Sequence, residues 1–545
     1  MKTKTNIPFT FILLAFCLLS FSGFAKNRDL SSYLINLSEG PEGPAYSDVV
    51  PEMVVSGSIV HTVWVQRVSN DEANLYYRRS SDLGKTWENA RLIKKLKSAG
   101  TATNFTTRRL AVDNETVHIA IADYDYADKG KGHVFYFKSS NGGSSFDAER
   151  TVASTSGNYK GIDNSFIKAS GGKVVIVYQG EGDKQGTWAL FSANGGNAFS
   201  DTKVFEESNK LSDLYFDGSQ IVVVHGYTYY QFGLYTGKVW ASVSGDGKSF
   251  KTNKISVTYP TQSGERERCI CSQDNHYVPK IARSGNNIHI VFAGYKAEGF
   301  YTYFYARSTN NGASFEPVTA VALSSTFTEG FQSGSETVAA MGNQVYILAA
   351  SAYPTNNNNG NQFYLIHSEN NGGTLSDARM ILNPAIAHVG KASLPGITID
   401  TKDTSGKTLY LTGNWLFSTK SVDGGLTFSG STMLAPSLNS NIINMSHNYM
   451  NSYFALDADG GHHWISSAQW RSEKDNDIFY RNVKAQPEPG SKNKALYVEQ
   501  LAKSYQTELV VVPSSKSINF DSAMTAEVWV KFKPEPRQIS TSWLR

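Results

Sequence analysis

Three cysteines in 545 residues are too few for a disulfide framework, and Cys17 lies in the leading apolar segment. The other two, Cys269 and Cys271, stand two apart, where a bridge would close a ring too small to be free of strain. Charge is scarce as well: 18% of the residues are Asp, Glu, Lys or Arg, 51 basic against 48 acidic. Removing residues 1–25 takes away Lys2 and Lys4 and no acid, leaving 49 against 48. A nearly neutral chain has little with which to neutralise phosphates, so no nucleic-acid partner is expected. Long hydrophobic runs are missing outside residues 9–21, and that run is short of the roughly 20 residues a membrane-spanning helix requires. With Lys2 and Lys4 before it and Gly23, Phe24 and Ala25 after it, the run reads as a signal peptide over 1–25. The protein is therefore expected to be exported, whether secreted, periplasmic or on the cell surface, without membrane insertion. Bulky Phe16 before Cys17 argues against a lipid anchor.

What the chain does contain is 46 glycines, 29 tyrosines and 29 phenylalanines. Aromatic residues with abundant Gly, Asn and Ser and few charged runs make short strands joined by turns, and they argue against coiled coil and disorder. An ordered all-β protein with a large core follows.

A repeat organises most of the length. Ser80, Asp82, Gly84, Thr86 and Trp87 form a box that returns as Ser421, Asp423, Gly425, Thr427 and Phe428. Weaker copies occupy 139–146, 192–199, 245–250 (one residue short), 308–315 and 368–375. Their glycines, at 84, 143, 196, 247, 312, 372 and 425, are 59, 53, 51, 65, 60 and 53 residues apart, a regularity chance does not produce. In each box Asp or Asn can fold onto the loop amides, Gly takes a positive φ, and the aromatic plugs the gap between neighbouring sheets. Around it recur an alternating strand, a turn, an apolar strand such as 59–65 or 288–293, a strand leading into the box and, since the box joins third and fourth strands, one leaving it. Four strands per repeat is the unit of a propeller blade. Innermost strands start near Asp48, Thr106, Asp163, Leu211, His276, Ser333, Ala392 and His447, eight units in all. The last has no box, so 33–37 is expected to supply its outer strand; seven blades with an accessory sheet is the alternative.

On these boxes residues 30–484 resemble the Asp-box, or BNR-repeat, β-propellers, a group that includes sialidases and propeller ulvan lyases. The resemblance implies a propeller and a carbohydrate-active protein, though not which reaction. After it, 485–493 is a Pro/Gly-rich linker. The tail, 494–545, with strands near 495–498, 509–512 and 524–530, resembles the opening of a laminin-G or concanavalin-like jelly roll. It is expected to be a truncated module.

If the boxes share one end of the ring, strand alternation sends the starts of first strands and the ends of second strands to the other. The second repeat is richest there: Arg108 and Arg109 at its first strand, Tyr124 and Tyr126 after its second, His133 opening its third. Arg67 ends a second strand in the first repeat, and the fourth ends its own with His225, Tyr227 and Tyr229. Cys269 and Cys271 put two thiolates on one side of an extended strand; His276 and His225 would complete a tetrahedral Cys2His2 zinc site, expected to be structural by its place at a blade junction. His61, His118 and His289 sit early in second strands and are expected to be structural.

Removing the proton beside a carboxylate requires that carboxylate to be neutralised, here by Arg108, with His133 as base and Tyr124 or Tyr227 as acid toward the leaving oxygen. Arg109, Tyr126, Arg67 and Tyr229 would contact substrate. The expected activity is β-elimination on an anionic, uronate-bearing polysaccharide or oligosaccharide such as ulvan, by a lyase or a dehydratase. The resemblance to ulvan lyases implies a His/Tyr/Arg site and, in some members, a Cys/His zinc site like 269–276. The chain departs from that pattern in having no arginine between Arg150 and Arg266. A sialidase-like hydrolase is the alternative, weakened because the first-blade segment reads Asp48, Val49, Val50 and Pro51 where an arginine is expected. A non-catalytic glycan-binding propeller is the third reading. Oligomeric state is not legible.

Overall fold

The computed structural model describes residues 35–38, 47–69, 71–97, 108–125, 131–155, 162–206, 210–231, 234–255, 258–261, 264–267, 279–295, 301–321, 337–350, 363–381, 396–413, 417–428, 432–433, 454–459, 462–472 and 475–482. The chain divides into two units, 1–484 and 485–545. The second lies outside the described residues, as do the signal-peptide, linker and jelly-roll readings.

Among the described residues the first unit holds eight four-stranded antiparallel sheets and one two-stranded hairpin. The first strands of the sheets are Ser47–Ser56, Leu110–Asp113, Ile162–Ser170, Lys210–Phe216, Lys280–Ser284, Thr337–Met341, Gly396–Ile399 and Phe454–Asp459. Each touches the first strand of the next sheet, and the last touches Ser47–Ser56. A closed ring of sheets with their first strands innermost is a β-propeller. In the last sheet the outer position is taken by Ile35–Asn36, which pairs with Asp475–Asn482 through Ile35 opposite Tyr480 and Asn36 opposite Phe479. The seam is tied further by Arg78, whose Nη1 donates to the Leu37 carbonyl at 2.8 Å.

The core is distributed between sheets rather than gathered at one centre. Strand Thr116–Asp125 shows how: Val117, Ile119 and Ile121 pack with Val63, Leu75 and Tyr77 of the first sheet, while Ala120 and Ala122 pack with Ile176 and Tyr178 of the third. Period-two alternation thus assigns alternate residues to alternate neighbours, so a strand buried on both faces reads as a continuous apolar run.

Six of the seven boxes share one pattern of internal bonding. Ser80 Oγ accepts the Gly84 amide at 2.8 Å and donates to Asp82 Oδ1 at 2.7 Å, and Asp82 Oδ1 accepts the Thr86 amide at 2.9 Å. The fourth box begins at Ser244, one residue earlier than expected, and its loop is shortened so that Gly247 donates to Ser244 Oγ from three positions away. Gly143 has φ +80°, and a Cβ there would overlap the hydroxyl of Tyr77 from the preceding sheet. Gly84, Gly196 and Gly372 meet Tyr480, Tyr136 and Tyr305 in the same way. The box aromatic closes the contact from the other side: Phe146 meets Tyr77 edge-on at 4.9 Å and Phe199 meets Tyr136 at 5.0 Å. His61, His118 and His289 hydrogen-bond Tyr77, Tyr136 and Tyr305 at 2.7, 2.7 and 2.6 Å. Burial holds the pKa of all three at about 4, so they are neutral packing groups.

Candidate functional site

At the end of the ring opposite the boxes, the second sheet carries four of the expected residues, Arg108, Arg109, Tyr124 and His133. Arg108 precedes its first strand, Tyr124 lies near the end of its second strand, Thr116–Asp125, and His133 near the start of its third, Lys131–Ser139. Arg108 is anchored by its backbone: its amide donates to the Ser165 carbonyl at 3.2 Å and its carbonyl accepts the Ile167 amide at 2.9 Å. This bridge to the third sheet fixes a half-buried arginine beside the innermost strands.

Arg109 turns out to have a different job. It is 1% exposed, and its Nη1 donates to Glu52 Oε1 at 2.9 Å while Glu52 Oε2 accepts the amides of Arg109 and Leu110 at 2.6 and 3.2 Å. Burial lowers the arginine's pKa and the Glu52 carboxylate opposes that shift. A guanidinium so enclosed ties the first sheet to the second, which corrects the substrate contact expected of it. Glu52 itself follows a bulge between Val49 and Glu52, and that irregularity re-aims the strand beside Pro51.

Tyr124 and His133 face opposite neighbours. Tyr124 continues the alternation of Ala120 and Ala122 toward the third sheet and is 4% exposed, so the proton-donor role expected of it does not fit its burial. His133 lies opposite Asp123 in register and shares its side of the sheet, toward the first. Asp123 is 4% exposed, with its two carboxylate oxygens accepting the Lys97 amide at 3.2 and 3.1 Å. His133 is half-buried, and its Nδ1 hydrogen-bonds Ser154 Oγ at 2.9 Å. With Nδ1 as donor, Nε2 carries the lone pair, the form a general base needs.

Arg67 ends strand Ile59–Arg67 at the same end of the first sheet; it is exposed, and its Nε donates to the Ser69 carbonyl at 3.1 Å. Tyr227 and Tyr229 lie on strand Ile221–Gln231 of the fourth sheet, again at this end. His225, two residues before Tyr227, is fully buried. Thr187 Oγ1 lies 3.3 Å from its Nδ1 and Ser242 Oγ 3.0 Å from its Nε2, and Phe205 stacks on the ring at 5.3 Å. Burial pushes its pKa down to about 3. Both nitrogens are engaged with hydroxyls, so His225 does not fit as the fourth zinc ligand. Tyr126, Cys269, Cys271 and His276 lie outside the described residues. Among the described residues no group of three or more His, Cys, Asp or Glu could hold a metal ion, and no helix is long and apolar enough to cross a membrane.

Sequence reasoning missed Glu52, Asp123 and Ser154. Asp123 is adjacent to Tyr124 and could have been found by applying the same alternation rule; the Glu52 partnership spans 57 positions and leaves no local signal.

No protein-family model matches the chain, and no curated protein does. Solved structures similar to it include an α-L-arabinanase of Penicillium chrysogenum complexed with arabinobiose: 13% identity, 74% of this chain and 98% of that one, TM-score 0.35. An ulvan lyase bound to a GlcA(1-4)Rha3S segment is 11% identical over 73% of this chain and 96% of its own, TM-score 0.40. A Trypanosoma rangeli sialidase in complex with the inhibitor DANA is 11% identical over 59% and 55%, TM-score 0.33.

Proposed function

We propose that this is an exported propeller enzyme, with each of the eight sheets one blade, that cleaves or dehydrates a uronate-bearing glycan by β-elimination. The observation that carries the reading is the end of the second sheet, where a backbone-anchored Arg108 and a half-buried His133 with a hydroxyl on Nδ1 share one rim. Arg108 pairs with the sugar carboxylate and so acidifies the neighbouring C–H. His133 Nε2 takes that proton, the C–H electrons become a C=C bond, and the bond to the leaving oxygen breaks. Tyr227 donates a proton to that oxygen, since Tyr124 is buried. Incubation with anionic polysaccharides tests this by absorbance: elimination creates a conjugated C=C, hydrolysis gives reducing ends without it, and a binding protein gives neither.

Cys269, Cys271 and His276 remain the proposed ligands of a structural zinc, with His225 withdrawn. Thiolates favour zinc over magnesium or calcium. Elemental analysis should find about one zinc per chain, lost when Cys269 and Cys271 are both changed to Ser; zinc unchanged in that variant would contradict the site.

A further inference from the structure

His133 is held from two sides, and a third carries a charge that the fold does not require. Its Nδ1 bonds Ser154 Oγ on the fourth strand of its sheet at 2.9 Å. Its ring leans at 43° on Phe135, two residues along the same strand, with the centroids 5.6 Å apart. Phe135 is in turn capped by Lys94 of the first sheet, whose Nζ lies 3.6 Å from the ring centroid and pairs with Glu149 at 3.0 Å. On the second strand stands Asp123, opposite His133 in register and on the same face. Directly opposed residues of an antiparallel pair have Cβ atoms about 5 Å apart, close enough for a carboxylate to act on an imidazole.

Asp123 does have a structural task. Both of its carboxylate oxygens accept the Lys97 amide, at 3.2 and 3.1 Å, which ties the end of the first sheet's fourth strand, Arg91–Leu96, to the second sheet. Four other sheets close the same position on a backbone carbonyl of their own third strand, as Ile255 does on Val239 at 2.8 Å. A tie between sheets does not need a charge either: between the third and fourth sheets, Gln179 Oε1 accepts the Leu211 amide at 3.4 Å. What the carboxylate adds is a buried negative charge on the face that His133 shares. The other charged groups around the imidazole weigh less. Lys94 and Glu149 neutralise each other. Lys97 and Lys131 are exposed, where solvent and salt screen them, and Asp125 lies opposite Lys131 in register.

We infer that Asp123 is the positioning residue of His133, its charge orienting the imidazole and favouring the imidazolium that forms when Nε2 takes a proton. The link to chemistry rests on His133 as the base proposed above; the pairing itself does not. In the elimination the C–H proton moves to Nε2, its electron pair forms the C=C bond, and the leaving oxygen departs with a proton from Tyr227. Asp123 stays ionised throughout and exchanges no proton. The test uses two neutral substitutions in the full-length protein. Asp123→Asn keeps an acceptor for the Lys97 amide, and Asp123→Ser, with a smaller side chain, keeps the question open to measurement if the first does not fold. One readout needs no substrate: the titration of the His133 ring followed by NMR, its signals assigned with His133→Gln. The midpoint should fall by about one pH unit in either variant relative to the wild type. The other readout is C=C formation, where kcat at neutral pH should fall about tenfold with KM within about twofold, and the acid limb of the kcat profile should move with the midpoint. An unmoved midpoint would overturn the inference and leave Asp123 a tie between sheets. So would C=C formation with an unchanged acid limb, although elimination itself would stand. A shifted midpoint with no C=C from any anionic polysaccharide would uphold the pairing while refuting elimination.

Discussion

The two ends of the ring are built on different principles. At the box end the same contacts recur from sheet to sheet. Besides the internal bonds of each box, cations from one sheet hold backbone carbonyls of the next sheet's box: Arg79 to Gly142 at 2.6 Å, Arg150 to Gly196 at 2.6 Å, Lys251 to Ala313 at 2.6 Å and Arg379 to Leu426 at 2.6 Å. At the opposite end the described residues repeat a backbone bond that closes each of four sheets, from Thr155 to Gly132, Ile255 to Val239, Val321 to Tyr303 and Ile381 to Phe363, but their side chains differ from sheet to sheet. The second sheet carries Arg108 and His133, the third closes through the short helix Gly182–Lys184, and the fourth has a longer middle hairpin, paired from Ile221 opposite Ser244 to Gln231 opposite Leu234. Repetition serves a task that is the same at every junction, namely fastening one sheet to the next. The proposed chemistry has to happen once, and it is assigned to the end where the scaffold lets loops and strand ends vary. Glu52 and Arg109 lie at the varied end yet do a fastening job, so the division is between tasks as much as between ends.

That division can be broken most severely at Glu52. Changing Glu52 to Gln takes the Glu52 carboxylate away from the buried Arg109 guanidinium and should cost about 3–5 kcal/mol of stability. Chemical denaturation should show an earlier midpoint, with per-molecule activity of the folded fraction retained. An unchanged midpoint would mean that Arg109 finds another partner and that the first two sheets are fastened elsewhere.

A smaller effect is expected at the box end. Gly143→Ala forces a side chain into a positive-φ position and against Tyr77, for a cost of about 2–4 kcal/mol. Calorimetry should show a lower melting temperature and turnover should be unaffected. If turnover fell while stability held, the boxes would have a part in chemistry that the comparison denies them.

Acid should act before the box aspartates titrate. His61, His118 and His289, with pKa about 4, and His225, about 3, are neutral when folded, whereas an unfolded histidine titrates near 6.5. Between these values the unfolded chain binds protons that the folded chain refuses. Stability is therefore full above about pH 6.5 and declines as the pH falls toward about 4. Asp82, Asp246 and Asp423 are held down to about 2, chiefly by hydrogen bonds at Asp82 and Asp246. Their contribution persists above the usual carboxylate range and is lost only as pH drops through about 2. Melting curves from pH 7 to 3 should fall in the histidine window first; a flat profile down to pH 4 would contradict neutral, buried imidazoles.

The boxes were legible because each is a local loop whose partners lie within four residues, and their spacing exposed the sheets. The closing strand was legible from a missing element: the last repeat needed a fourth strand, and Ile35–Asn36 supplies it. The candidate site was harder. Alternation sorts Arg108, Arg109, Tyr124 and His133 to one end of the second sheet, but it treats Arg108 and Arg109 alike, and only a carboxylate 57 positions away separates the half-buried residue from the buried tie. His225 shows the same limit, since its partners Thr187 and Ser242 come from two different strands and no spacing announces them.

The most direct test is a paired measurement on Arg108→Ala, taking the rate of conjugated C=C formation on the polysaccharide that the wild type degrades together with the melting temperature. The account predicts that kcat/KM falls by about a thousandfold, because the acidity of the sugar C–H in the transition state depends on the neutralised carboxylate, while the melting temperature stays within about 2 °C. Near wild-type turnover in the variant, or loss of activity only in step with loss of folding, would contradict the claim that this end of the second sheet carries the chemistry.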